Sequence, residues 1–89
     1  MIRKEIEIVN KLGLHARAAA KLVTCAGSFA SQVQLERRGQ RVNGKSIMGV
    51  MMLAAGQGST LVLLVEGKDE DAACAALEQL VANRFGEAE

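Results

Sequence analysis

Gln32-Val33-Gln34-Leu35-Glu36-Arg37-Arg38-Gly39-Gln40-Arg41-Val42-Asn43 is the stretch that decides the fold. Polar and apolar residues alternate from Gln32 to Glu36 around Val33 and Leu35, the period of a half-buried strand. Arg37-Arg38-Gly39-Gln40 reads as a tight hairpin turn and Arg41-Val42-Asn43 as a short return strand. A hairpin makes its strands antiparallel, and strands with one polar face leave one side of a sheet in water. The segment therefore predicts an antiparallel sheet covered on one face only.

Working outward, the flanking segments supply the rest of that sheet and its cover. Ile2 to Val9 alternates, with Ile6 and Ile8 on one side and Glu5 and Glu7 on the other. Gly13 breaks the pattern. Ala16 to about Ala26 is rich in helix formers and places Ala19, Leu22, Val23 and Ala26 at helical spacing, until Gly27-Ser28 ends it. After the hairpin, Gly44-Lys45-Ser46 opens a short apolar helix, Ile47 to Leu53, with Ser46 as N-cap. Gly56-Gln57-Gly58 is a loop. Leu61 to Val65 is continuously apolar, as expected of a central strand, and Gly67-Lys68-Asp69 is a turn. Asp71 to about Arg84 reads as the last helix, with Ala73, Leu77, Leu80, Val81 and Arg84 at helical spacing. The order β-α-β-β-α-β-α predicts an α+β fold: a four-stranded, mostly antiparallel sheet, wet on one side, with three helices on the other. No repeat or linker divides it, so residues 1–89 read as a single domain.

Composition removes several classes of function. A net charge of +1 gives no strong field toward nucleic acid or an anionic membrane. Phe29 and Phe85 are the only aromatics, too few for base-stacking platforms. No apolar run approaches the roughly 20 residues of a membrane span. The opening residues alternate and carry charge, so no signal peptide is expected and the expected location is cytoplasmic. Cys25 and Cys74 form no CxxC pair and read as buried small hydrophobes in a reducing compartment. One histidine cannot supply the three or four ligands of a zinc site. Gly44-Lys45-Ser46 lacks the upstream glycine of a phosphate-binding Walker loop, so neither metal nor cofactor is expected.

That one histidine, His15, lies in Asn10-Lys11-Leu12-Gly13-Leu14-His15-Ala16-Arg17-Ala18-Ala19-Ala20-Lys21. The plainest reading is a surface or capping histidine with no task. Against it, the imidazole falls at the N-terminus of a predicted helix, where unpaired N–H groups and the dipole favour negative charge. A phosphate held covalently on the ring would meet the features that bind free phosphate at helix N-termini. Arg17, in the first helical turn, adds a fork of donors suited to phosphate oxygens. A Ser–His–Asp triad would need an acid and a serine from afar, and no G-x-S-x-G is present.

Two motifs carry a resemblance. Gly13-Leu14-His15-Ala16-Arg17 and Gly44-Lys45-Ser46-Ile47-Met48-Gly49-Val50-Met51 are similar to the two signatures of the HPr family, the histidine-containing phosphocarriers of the phosphoenolpyruvate-dependent phosphotransferase system. The similarity runs over essentially the whole chain. It implies an open-faced β-sandwich, which agrees with the order of elements read above. It also implies that His15 takes a phosphoryl group on Nδ1 from phosphorylated Enzyme I and passes it to a histidine of an enzyme IIA protein or domain. Such a chain is a phosphoryl-transfer intermediary without turnover of its own, and is expected to be a monomer. Ala18 departs from the family, which often has proline directly after the arginine; alanine keeps the helix but restores an N–H donor and loosens the entry. Feeding a nitrogen-related regulatory relay rather than sugar uptake, and a regulatory α+β domain without covalent chemistry, are the alternatives.

Ser46 is explained as an N-cap by its residue type alone. The resemblance adds phosphorylation by an HPr kinase/phosphorylase, found in some branches and not in others. Ile47, Met48, Met51 and Met52 cannot all face inward on a two-turn helix, and about half are expected in the core. Ile47, Val50 and Met51 are expected to cover the sheet, leaving Met48 exposed. By the resemblance, the outward residues dock Enzyme I and enzyme IIA, with Arg17, Lys21 and Lys45 as a positive ring suited to acidic partners.

Overall fold

The computed structural model describes residues 1–89. Its elements are β1 (Ile2–Glu7), α1 (Ala16–Gly27), β2 (Gln32–Arg37), β3 (Gln40–Asn43), α2 (Ile47–Met52), β4 (Thr60–Glu66) and α3 (Glu70–Ala82), followed by a 3-10 turn at Arg84–Gly86. The strands form one antiparallel sheet in the order β1-β4-β2-β3, so the continuously apolar β4 is central, as its sequence predicts. The three helices lie on one face. None is long and apolar enough to cross a membrane.

The hairpin turns where its sequence predicts. Arg37 and Gln40 pair as the last rung, leaving only Arg38 and Gly39 to turn, with φ of 52° and 81°. Two successive left-handed residues match the twist of the strands they join. Arg37 thereby shares a face with Val33 and Leu35, and its guanidinium donates to the carbonyls of Leu53 at 2.9 Å and Ala54 at 3.3 Å. A strand residue thus caps the end of α2, where carbonyls have no helical partner.

Register assigns each side chain to a face. Ile6, Val33, Leu35, Leu61, Leu63 and Val65 face the helices and meet Ala18, Ala19, Leu22 and Ala26 of α1 and Ala73, Leu77 and Val81 of α3. Leu64 points the other way, opposite Arg3 and Gln34, yet is only 3% exposed. The open face is therefore less wet there than alternation implies, as long polar side chains with apolar stems permit. Cys74 is buried as expected, whereas Cys25 is only half-buried; burial raises both thiols above their ordinary range.

Two helices depart from expectation. In α2 only Val50 reaches the core, joined by Leu53 just beyond it, while Ile47, Met48, Met51 and Met52 are 40, 73, 43 and 64% exposed. Six residues give one narrow inward line, which Val50 and Leu53 fill at i, i+3 spacing, so Ile47 and Met51 do not cover the sheet. The last helix stops at Ala82 rather than Arg84. Arg84 and Phe85 turn left-handed, at φ 57° and 55°, and swing the Phe85 ring back into the core, where it is 1% exposed.

α1 and α2 pack side by side in opposite directions. Lys45, just before α2, donates from Nζ to the Phe29 carbonyl past the end of α1, at 2.8 Å. Leu14, just before α1, donates its N–H to the Ala55 carbonyl past the end of α2, at 2.9 Å. Asp69 ties α3 to β2: its carboxylate accepts from the N–H groups of Ala30 at 2.8 Å and Ser31 at 2.9 Å and from the Ser31 hydroxyl. The Ser31 hydroxyl foremost, then the Ala30 N–H, hold Asp69 below the usual carboxylate range.

Candidate functional site

The loop between β1 and α1 is fixed by a glycine and a buried asparagine. Gly13 has φ of +65°, a region that disfavours side chains. A Cβ there would also lie 2.5 Å from the Ala55 carbonyl oxygen and 2.7 Å from the Gly56 Cα. Both geometry and contact therefore require glycine. Leu14 is buried beneath the loop, and Asn10, fully buried, donates from Nδ2 to the Gly13 carbonyl at 2.8 Å.

This scaffold delivers His15 as the residue preceding α1. Its backbone is extended, at φ −68° and ψ 176°, and its carbonyl accepts from the Ala19 N–H at 2.8 Å. An N-capping residue usually turns its side chain onto the first N–H groups of the helix. The His15 side chain does not, so α1 opens without a side-chain cap. Ala18, where the family often has proline, is fully buried in α1 and packs in the core cluster.

Instead, Nε2 of the ring meets Oε2 of Glu87, in the segment after α3. Asn10 donates to the other carboxylate oxygen at 3.1 Å. The bond from His15 foremost, with further help from Asn10 and the charge of Lys21, holds Glu87 below the usual carboxylate range. Lys21 donates from Nζ to the Phe85 carbonyl at 2.6 Å, and Lys11 pairs with Glu89 at 3.3 Å. A cleft of about 390 Å³ lies beside the ring, lined by Arg17, Lys11, Leu12 and Glu87 among others. Arg17 is exposed and enters none of the ion pairs of the chain. An imidazole beside uncapped N–H groups and an unengaged guanidinium form a surface suited to a phosphoryl group.

Of the residues singled out in the sequence, the structure brings together His15, Arg17 and Lys21. Met51 and Met52 lie toward that end of α2, whose following residues contact Gly13 and Leu14. Lys45 and Ser46 lie at the other end. Lys45 is bonded past the C-terminus of α1, which at 12 residues is roughly 18 Å long, so it borders the exposed α2 residues at the end away from the histidine. Ser46 caps α2, accepting from the Gly49 N–H at 3.2 Å. Glu87 and Asn10 were not singled out. Asn10 had only its place in the loop to mark it, and nothing local signals that Glu87 returns to a ring 72 residues earlier. No group of three or more His, Cys, Asp or Glu side chains could hold a metal ion.

The chain and its fold are similar to known proteins. A family model described as the PTS HPr component phosphorylation site matches residues 2–83. Phosphocarrier protein HPr of Cupriavidus necator is 60% identical over 89 residues, covering 100% of each chain. A crystal structure of HPr from Thermoanaerobacter tengcongensis superposes with a TM-score of 0.96 at 47% identity, covering 100% of both chains. A crystal structure of an HPr dimer from that organism gives 0.79 at 48% identity, covering 98% of this chain and 100% of that one. A site of this geometry, in a chain alike over its whole length, makes this protein a member of the HPr family of phosphotransferase-system phosphocarriers.

Proposed function

We propose that His15 accepts a phosphoryl group from phosphorylated Enzyme I and passes it to a histidine of an enzyme IIA protein or domain, in the cytoplasm and as a monomer. The observation that carries this reading is the placement of the ring: half-buried, at the uncapped start of α1, beside exposed Arg17. In phosphoryl transfer positioning and charge stabilisation do most of the work, and both are supplied here by the backbone and one guanidinium. Ile47, Met48, Met51 and Met52, with Leu12 at 66% exposure, give partners an apolar surface, and methionine adapts to more than one of them. Ser46 as a target of an HPr kinase/phosphorylase belongs to the same reading: a phosphate there would add charge beside that surface.

Incubation with phosphoenolpyruvate and Enzyme I should add one phosphoryl group, labile in acid and stable in base. His15→Ala should add none while keeping the amide spectrum of the fold. A phosphorylated His15→Ala protein that still relays the group to enzyme IIA would remove the assignment.

A further inference from the structure

We propose that Glu87 is a positioning residue for transfer at His15: its carboxylate keeps the proton on Nε2 while the phosphoryl group arrives at and leaves Nδ1. This deepens the reading of His15 as the acceptor and rests on it. An ionised carboxylate only accepts hydrogen bonds, so its contact with Nε2 places the hydrogen there. The lone pair of the neutral ring is then on Nδ1. In acceptance, that pair forms the N–P bond while the bond from phosphorus to the donor nitrogen breaks and its electrons leave with the donor. The ring, still carrying Nε2–H, becomes cationic, and Glu87 faces the new charge. In donation the N–P bond breaks, its electrons return to Nδ1, and the ring is neutral again. No proton enters or leaves. Were Nε2–H lost in between, the leaving group would be an imidazolate, far poorer than imidazole. A carboxylate that fixes the tautomer and steadies an imidazolium plays the same part beside the histidine of serine-protease triads.

The carboxylate is built into place. Phe85 is buried, its carbonyl is held by Lys21, and the Glu87 N–H donates to the Arg84 carbonyl at 2.9 Å. Asn10 holds the second carboxylate oxygen. Left-handed backbone at non-glycine residues is strained and concentrates at functional sites; here Arg84 and Phe85 adopt it, with only Gly86 between them and Glu87. The other charges around the ring are Lys11 from the loop, Arg17 and Lys21 from α1, and Glu89. Glu89 is paired with Lys11, leaving Glu87 as the acid for His15.

The test uses the full chain phosphorylated by phosphoenolpyruvate and Enzyme I, comparing wild type with Glu87→Gln, Glu87→Ala and His15→Ala. Imidazole 15N shifts report the tautomer, and transfer to enzyme IIA is timed across pH. Wild type should carry Nε2–H alone in the neutral ring, and Glu87→Ala should show both tautomers. Both Glu87 variants should donate about tenfold more slowly above neutral pH, the alkaline limb of the profile moving down by about one unit for loss of an adjacent opposite charge. An unchanged tautomer and limb in Glu87→Ala, or an equal slowing at every pH, overturns the proposal while leaving His15 as acceptor. Phosphate uptake by His15→Ala overturns the underlying reading instead.

Discussion

α1 and α2 begin alike and end up differently. Each is preceded by a residue with extended backbone, His15 in one case and Ser46 in the other. Ser46 turns its hydroxyl back onto Gly49 and closes its own helix, whereas His15 turns its ring away to Glu87 and leaves its helix open. Each start would present orphan N–H groups at the positive end of its helix. Whether a helix start is a structural cap or a place for an anion is therefore decided by one side chain and by what lies close enough to draw it off.

The sharpest way to break the contrast is to disturb the loop that delivers His15. Gly13→Ala should cost about 2–4 kcal/mol in denaturant titration, from left-handed strain plus the clash with the Ala55 carbonyl. Transfer should fall with it, because the loop must lift off Gly56. A wild-type midpoint would mean that the loop is not seated as described.

Next in size, Arg17→Ala should slow transfer roughly tenfold to hundredfold, the loss of hydrogen bonds to a charged group at about 1.5–3 kcal/mol. Arg17→Lys should recover part of that, since an ammonium lacks the fork. Equal rates for all three proteins in a quenched assay would leave α1 with an anion site made of backbone alone. At the closed end, Ser46→Ala should lower stability by about 1 kcal/mol, seen as a shift in melting temperature, without moving the His15 ring resonances. Ser46→Asp should keep the cap.

Acid gives the smallest and broadest effect. Asp69 and Glu87 are held below their ordinary range in the fold. Their contribution is therefore present above the ordinary carboxylate pKa and is lost as pH falls through the lowered folded values. Melting temperature should be level from neutral down to about pH 5 and drop below that. Asp69→Asn should flatten the drop. An unchanged acid limb would show that the tie between Asp69 and Ser31 adds nothing.

How much of this was legible follows from the range of each interaction. The hairpin, the open sheet, the central β4 and the Ser46 cap are written in periods and residue types a few positions apart, and they hold. The places of His15 before α1 and of Arg17 in its first turn were legible for the same reason. Ile47 and Met51 were misread because hydrophobicity was taken as burial, and a two-turn helix has room for one inward line. The bond from Lys45 to the Phe29 carbonyl was not legible, because neither helix direction nor a tertiary carbonyl shows in a string. Arg84 extended a helical stripe that Phe85 in fact breaks, since the demand to fill the core outweighs the local preference of one turn. Glu87 was invisible: its partner is a tertiary neighbour, and glutamate near the end of a chain is ordinary.

The kink at Arg84 and Phe85 also sets how the molecule breathes. The segment that carries Glu87 belongs to no strand; one buried ring anchors it, and its remaining ties are single hydrogen bonds and ion pairs from Asn10, Lys11, His15 and Lys21. Releasing that ring costs about 1.5–3 kcal/mol of apolar burial, against the 5–15 kcal/mol that unfolds a typical domain. The amides of Gly86 and Glu87 should accordingly exchange with deuterium through a local opening, while those of β4 wait for global unfolding. Half of the site thus lives on a faster clock than the sheet beneath it.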